Sequence, residues 1–329
     1  MAGREDRLIA WLAGFAGSGD QIGDDAVLLT LGQRQYAFSV DTQRAGVHIP
    51  IDLDPADAAR RLLAVSLSDL AATGAVPRWM LVALGIDDSD AARRFLAALV
   101  RAGRRYETEL IGGDTARPTT AGRLDASLTV VGEIPEEGSP LTRVAARPND
   151  RLWIGGPVGE SAMGLELVRL GARIGKRRAN LPEELPDGLT RVASRVLRRH
   201  LEPRPQLGLG LELGRRSPVG AAIDVSDGLA ADAARLCRRS GVGCELEEGA
   251  FGLRADARRL AGHLGREPLE LALGGGEDYV LLFTLPPEVH FRHPGCRSIG
   301  RITTRPGLRL RRTDGTIEPL PAGGWDHLG

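Results

Sequence analysis

A mixed α/β protein of two domains is what the sequence predicts, and three observations carry that reading. The chain has 329 residues, enough for two units that each bury a core. One local pattern recurs along it: an apolar strand, a loop holding acids and often glycine, then a helix. Between the recurrences lies 133–150 (EIPEEGSPLTRVAARPND), rich in Pro and charge in the manner of an interdomain linker. It divides the chain into 1–140 and 141–329.

In the first half, 4–16 reads as a short helix with Ile9, Leu12 and Phe15 at helical spacing. The Gly/Asp turn 19–26, which holds Asp20, Asp24 and Asp25, opens into the strand Val27-Leu28-Leu29. Its adjacent acids either stay solvated in a hairpin or gather at a cation, because an unpaired buried charge costs several kcal/mol. A β-type run, Tyr36 to Val40, ends in Asp41-Thr42, and His48 follows in a loop. Asp54 and Pro55 then open a helix as N-cap and first helical residue, and it runs to Gly74. Asp69 lies well inside that apolar helix, where a free carboxylate is expensive and calls for an Arg, a hydrogen-bond donor or a metal. Arg78 to Leu84 reads as a buried strand, 88–103 as an amphipathic helix, and Leu110-Ile111 as a strand ending in the turn Gly112-Gly113-Asp114. Paired glycines there let a backbone approach a ligand with no Cβ in the way. Ala126 to Gly132 closes this half as a strand.

The second half opens with the strand Arg151 to Ile154, a Gly-rich turn and a helix around Met163–Leu170. Residues 172–188 read as an exposed excursion that carries Lys176, and 189–200 as a helix. Ala221 to Val225 is a short apolar strand running into Asp224-Val225-Ser226-Asp227-Gly228 and an Ala-rich helix. Three acceptor side chains in one turn suit either ordinary helix capping or a hard cation such as Mg²⁺. A strand lies near 243–246, and Gly274-Gly275-Gly276-Glu277-Asp278-Tyr279 leads into the apolar strand Val280 to Phe283. Trp325-Asp326-His327 ends a flexible tail, and His290 and His293 read as surface residues.

Composition narrows the function. Lys plus Arg equals Asp plus Glu, so no basic surface invites nucleic acid. Lys176 is the only lysine, and GARIGKR around it is no P-loop: spacing and hydroxyl residue are both wrong. A protein that handles ATP without that lysine needs another device. Cys237, Cys244 and Cys296 form no C-x-x-C pair, which points to a reducing compartment. No apolar run approaches membrane-spanning length, and the opening MAGREDRLIAWLAG mixes both charges, unlike a secretory signal. A cytoplasmic protein with neither nucleic-acid nor membrane partners is expected.

The acids then decide between two arrangements. Asp24 and Asp25, Asp41, Asp69, Asp114, Asp224 and Asp227, and Glu277 and Asp278 stand at strand ends, beside glycines or within an apolar helix. Were they to converge without cations, each like-charge contact near 4 Å would cost up to about 4 kcal/mol at an effective dielectric of about 20. A few such contacts exceed the stability of a typical domain. Either the acids point apart into water, or they surround divalent ions that also hold phosphate.

The motifs IGDDA, SVDT with AGVH, DPADAARRLLAVSLSDLAATGAVPRW, LIGGDT, LTR, IDVSDGL and GGGEDY resemble those of the thiamine-monophosphate kinase family, in order and over nearly the whole chain. The resemblance implies a two-domain fold like that of aminoimidazole ribonucleotide synthetase: an N-terminal α/β domain, an α+β C-terminal domain, and N-terminal domains pairing across a homodimer. It implies Mg²⁺ ligands at Asp25, Ser39, Val40, Asp41, Asp69, Asp114, Asp224 and Asp227, with Asp24 also matching its motif. Val40 stands where threonine is common, so a ligand there would be the backbone carbonyl. ATP contacts are implied at Tyr106, Gly113, Asp114, Arg143 and Ser226, and thiamine phosphate contacts at His48, Glu277 and Trp325. Asp114, Arg143 and Asp227 would serve catalysis.

The implied reaction is direct transfer of the γ-phosphoryl of Mg-ATP to thiamine monophosphate. Its acceptor oxygen is already anionic, so charge neutralisation and in-line placement matter more than a general base. Other chemistries on this fold place a reactive cysteine in an N-terminal loop, whereas the first cysteine here is Cys237. A calcium-binding protein of EF-hand type would show D-x-[DN]-x-[DN]-G, which is absent.

Overall fold

The computed structural model describes residues 3–16, 21–175, 179–216 and 219–325; Asp20, Lys176, Asp326 and His327 lie outside them. The first half runs α1 (Arg4–Ala16), β1 (Val27–Leu31), β2 (Arg34–Arg44), α2 (Pro55–Thr73), β3 (Val76–Gly85), α3 (Ser89–Arg105), β4 (Glu109–Ala116) and β5 (Asp125–Glu133). Its strands form one sheet in the order β1-β2-β5-β3-β4, antiparallel except for the β3/β4 pair. Both ends of α2 follow the expected chemistry. Asp54 accepts from the Ala56 N–H at 2.8 Å, Pro55 fills the first turn, and Gly74 ends the helix in the left-handed region at φ 74°.

The second half comprises β6 (Arg151–Ile154), α4 (Glu160–Arg169), β7 (Arg173–Ile174), β8 (Ala179–Asn180), α5 (Thr190–Leu201), α6 (Leu207–Gly214), β9 (Ala222–Asp224), α7 (Leu229–Arg239) and β10 (Gly243–Glu247). It ends with α8 (Ala255–His263), α9 (Pro268–Gly274), β11 (Leu281–Leu285), β12 (Arg297–Thr303), β13 (Gly307–Arg311) and β14 (Ile317–Leu320). The second sheet has the order β14-β13-β10-β12-β6-β11-β9. Residues 134–150 between the sheets hold no helix or strand, yet Leu141 and Ala146 are buried, so this stretch is packed rather than loose.

Helix α2 organises the molecule. It lies on β2 and β5 of the first sheet and also meets α3, α6 and β9. From Arg61 to Thr73 every residue except Asp69 is buried, because both halves of the chain press on the helix. Its close fit to α6 explains a helix that Leu207-Gly208-Leu209-Gly210 hides from propensity arguments. A Cβ at Gly210 would stand 2.0 Å from the Ala71 carbonyl oxygen, so only glycine permits the approach.

Strand alternation sorts the acids of the first sheet. Asp41 pairs with buried Leu128 and faces α2, whereas Val40 pairs with Thr129 on the opposite, open face and is 65% exposed. Leu81 also pairs with Thr129, so it shares that open face with Val40. The Gly112-Gly113 turn expected from sequence is instead the interior of β4. There the close approach is to protein: a Cβ on Gly113 would lie 2.0 Å from the Val82 carbonyl oxygen. Strand β3 is half-buried rather than buried, for the same reason that Leu81 is open. The excursion at 172–188 contributes the two-strand ribbon β7/β8.

Candidate active site

A cavity of about 500 Å³ opens between the halves, and much of its wall traces back to local sequence features. Strand β2 supplies Asp41, α2 supplies Asp69, and the loop after β2 supplies His48. The turn after β9 brings Ser226 and Asp227, the loop before β11 brings Glu277, and Trp325 stands at the rim, 56% exposed. Asp224, expected in the turn, is the last residue of β9 and also lines the cavity.

Three carboxylates meet at one end. Oxygens of Asp25, Asp69 and Asp224 lie within 4.8 Å of one another. Burial first, then the charges of Asp41, Asp224 and Asp25, pushes Asp69 well above the usual carboxylate range. Burial and then Asp25 do the same to Asp224, and burial raises Asp41 to about 6. Among the described residues Asp41 Oδ2 is buried without a hydrogen-bond partner, while Ser39 Oγ donates to Asp69 Oδ2. Three acids packed this closely suit an oxygen-loving divalent cation. Opposite oxygens around one Mg²⁺ stand about 4.2 Å apart, and around one Ca²⁺ somewhat further. The donor set fits Mg²⁺.

Neighbouring arginines hold the rest of the acid turns. Arg143 donates to both oxygens of Asp25, from Nη2 at 2.6 Å and Nε at 3.1 Å, and to the Gly23 carbonyl. Its backbone N–H reaches Asp24, which burial and the charge of Asp25 raise. Arg235 pairs with Asp227, Asp232 and Asp6. Asp232 accepts the N–H groups of both Ser226 and Asp227 at 3.1 Å, fixing the turn, and burial raises it to about 7.

The opposite end is balanced internally. Arg61, with a fully buried side chain, donates to Glu277 Oε1 at 2.6 Å and to the His200 carbonyl at 3.1 Å. Burial raises Glu277, but Arg61 together with His200 and His48 outweighs it and the carboxyl is lowered. Burial lowers His200 to about 4, so its ring is neutral; Nδ1 is hydrogen-bonded to Ser161 Oγ at 3.2 Å and lies 3.2 Å from Glu277 Oε2. His48 Nδ1 accepts from the Arg44 N–H, which leaves the neutral ring's proton on Nε2. Asp278, beside Glu277, turns away and accepts from Gly159 N and Ser161 N at the start of α4.

Of the residues singled out in the sequence, Asp41, Asp69, Asp224, Ser226, Asp227, His48, Glu277 and Trp325 line this cavity. Asp25 and Ser39 touch its acid end through Asp69, and Arg143 through Asp25. Within one chain the others stand apart. Val40 faces the open side of the sheet, Gly113 is exposed on β4, and Tyr106 caps α3 against the first core. Asp114 lines a separate pocket of about 180 Å³, which adjoins the large cavity at Thr42. Sequence reasoning missed Arg61, His200 and Asp232. Asp232, an acid inside an Ala-rich helix, carries the signal that exposed Asp69; the other two carry none.

This geometry defines a class, and comparison with known proteins agrees. Residues 23–134 match the family model for "AIR synthase related protein, N-terminal domain". Curated relatives narrow it further. The thiamine-monophosphate kinase of Escherichia coli K12 is 36% identical over 93% of this chain and 91% of its own length, and that of Salmonella typhimurium LT2 is 39% identical over 80% and 76%. A solved structure of AaThiL complexed with AMPPCP and TMP superposes with a TM-score of 0.84 at 28% identity, covering 99% of this chain and 97% of that one. The chain belongs to the thiamine-monophosphate kinase family.

Proposed function

We propose that this protein transfers the γ-phosphoryl group of ATP to the phosphate of thiamine monophosphate, giving thiamine diphosphate and ADP. The observation that carries the reading is the convergence of Asp25, Asp69 and Asp224 at one end of a cavity whose other end presents Glu277 and His48. A cavity of about 500 Å³ is of a size that takes a small organic phosphate. Family membership and the AaThiL complex support the same pair of substrates.

In this mechanism Asp25, Asp41, Asp69, Asp224 and Asp227 would hold several Mg²⁺ ions, with Ser39 orienting Asp69, the Val40 backbone carbonyl serving from β2 and Asp114 from the sheet's other face. Bound there, the ions would neutralise polyphosphate charge and allow two anionic phosphates to meet. Arg143 holds Asp25 in place and adds positive charge beside the transferring group. The Ser226 turn, fixed by Asp232, supports the nucleotide. Glu277 and His48 orient the acceptor, and Trp325 packs on its ring. Since the attacking oxygen is already ionised at neutral pH, no side chain needs to remove a proton.

The reading includes a homodimer and a division near residue 140 into an N-terminal ATP- and Mg-binding domain and a C-terminal domain. Val40, Leu81 and Ile111 leave apolar side chains open on the first half, and a second sheet laid on the face of Val40 and Leu81 would cover them. Asp114 lies on the same face as Val40, and Tyr106 and Gly113 belong to the same half, so pairing would set them beside a nucleotide. Incubation with Mg-ATP and thiamine monophosphate tests the function. Equimolar thiamine diphosphate and ADP are expected; ADP without thiamine diphosphate would refute it.

A further inference from the structure

Arg61 has no part in the reading so far beyond its contact with Glu277, yet it is a fully buried charge in the central helix. Such a group is costly: a hydrophobic side chain of similar volume is often as stable or more so in its place, so stability alone does not account for it. Its contacts have a direction. From α2, in the first half, the guanidinium reaches across to Glu277 and to the last turn of α5, in the second. Glu277 sits at φ 55° and Tyr279 at φ 49°, left-handed conformations that cost energy in non-glycine residues unless their surroundings impose them. The surroundings do so here. Glu277 N–H donates to Ser226 O at 2.6 Å and Tyr279 N–H to Val225 O at 2.8 Å, so the loop is tied to the acid turn. Arg61 then fixes the one free variable, the Glu277 side chain, which stays 27% exposed toward the cavity.

The geometry points to Arg61 as a positioning residue for acceptor recognition. It holds Glu277 as an ionised carboxylate aimed into the cavity and so sets the affinity for the acceptor's ring end, not the phosphoryl-transfer step. The inference rests on the cavity being the acceptor site. It also gives α2 a second task. Asp69 lies eight residues on, about 12 Å along the helix axis, so one rigid element spaces the metal end from the recognition end.

A double-mutant cycle between Arg61→Met and Glu277→Gln, read in steady-state kinetics on the full-length protein, tests this. Turnover of thiamine monophosphate by the unaltered enzyme comes first; its absence would sink the functional reading itself, before any variant is judged. Arg61→Met is expected to raise KM for thiamine monophosphate about tenfold or more, with KM for ATP and kcat moving by no more than about threefold. Arg61→Lys, which keeps the charge, is expected to recover part of that loss. In the Glu277→Gln background, Arg61→Met should raise KM by less than about twofold, since its effect passes through the carboxylate. Independent, multiplying effects, or a loss confined to kcat and melting temperature, would overturn the inference. Should Arg61→Met alone fail to fold, comparison of Glu277→Gln with the double variant decides, because neither retains a carboxylate stripped of its arginine. Equal KM values support the inference, and a further rise overturns it.

Discussion

The two ends of the cavity treat buried charge in opposite ways. At the recognition end, Arg61 faces Glu277, and His200 is held neutral, so the charges cancel within the protein. At the acid end, Asp25, Asp69 and Asp224 crowd together, and among the described residues Arg143, on Asp25, is the one cation that answers them directly. Burial raises Asp41, Asp69 and Asp224, so the metal-free protein holds these acids against their own repulsion. On the proposed reading, the end that cancels its charge fixes a shape and the end that leaves charge uncancelled is the one that would take a cation.

Asp69→Asn should separate the two ends most clearly. At the acid end, removing one carboxylate should lower kcat by about a thousandfold or more while the metal-free fold melts no lower, since repulsion is relieved. Near-normal turnover would mean that the acids are structural. Asp227→Asn should likewise fold and lose orders of magnitude in turnover.

Stability against pH gives the next effect. Asp41, Asp69 and Asp224 have folded values above their usual 3.8, so the folded state takes up protons in between. Without metal, the contribution of these three groups to stability is fully present below about pH 4 and lost as pH climbs to about 6 and beyond, by roughly 3 kcal/mol for Asp41 alone. Excess MgCl₂ should restore melting temperature at pH 8 and add little at pH 5. An equal gain at both pH values would contradict the assignment.

Smaller effects sharpen the other side. Trp325→Ala, at the rim, should raise KM for thiamine monophosphate about tenfold and leave KM for ATP unchanged. Asp54→Ala removes the N-cap of α2 and should cost about 1 kcal/mol, a fall of ~2 °C in melting, with both KM values intact.

What the sequence disclosed follows from where the deciding physics is local. The caps of α2 were legible because Asp54, Pro55 and Gly74 act on their own backbone. Asp69 was legible because a carboxylate inside an apolar helix contradicts its neighbours. Arg61 was not: it sits beside Arg60, which stays partly exposed, and its partner Glu277 lies 216 residues away. The faces of β2 and β4 were hidden too. Asp41 and Asp114 look alike as strand-end acids, but alternation sends one toward α2 and leaves the other on the open side. Helix α6 rests on tertiary fit to Ala71, and no propensity scale carries that.

Anomalous scattering from crystals grown with Mn²⁺ and a non-hydrolysable ATP analogue tests the central claim most directly. The account predicts metal peaks within about 2.5 Å of carboxylate oxygens of Asp25, Asp69 and Asp224, bridging to phosphate. Ordered nucleotide with no peak among those three side chains would contradict it.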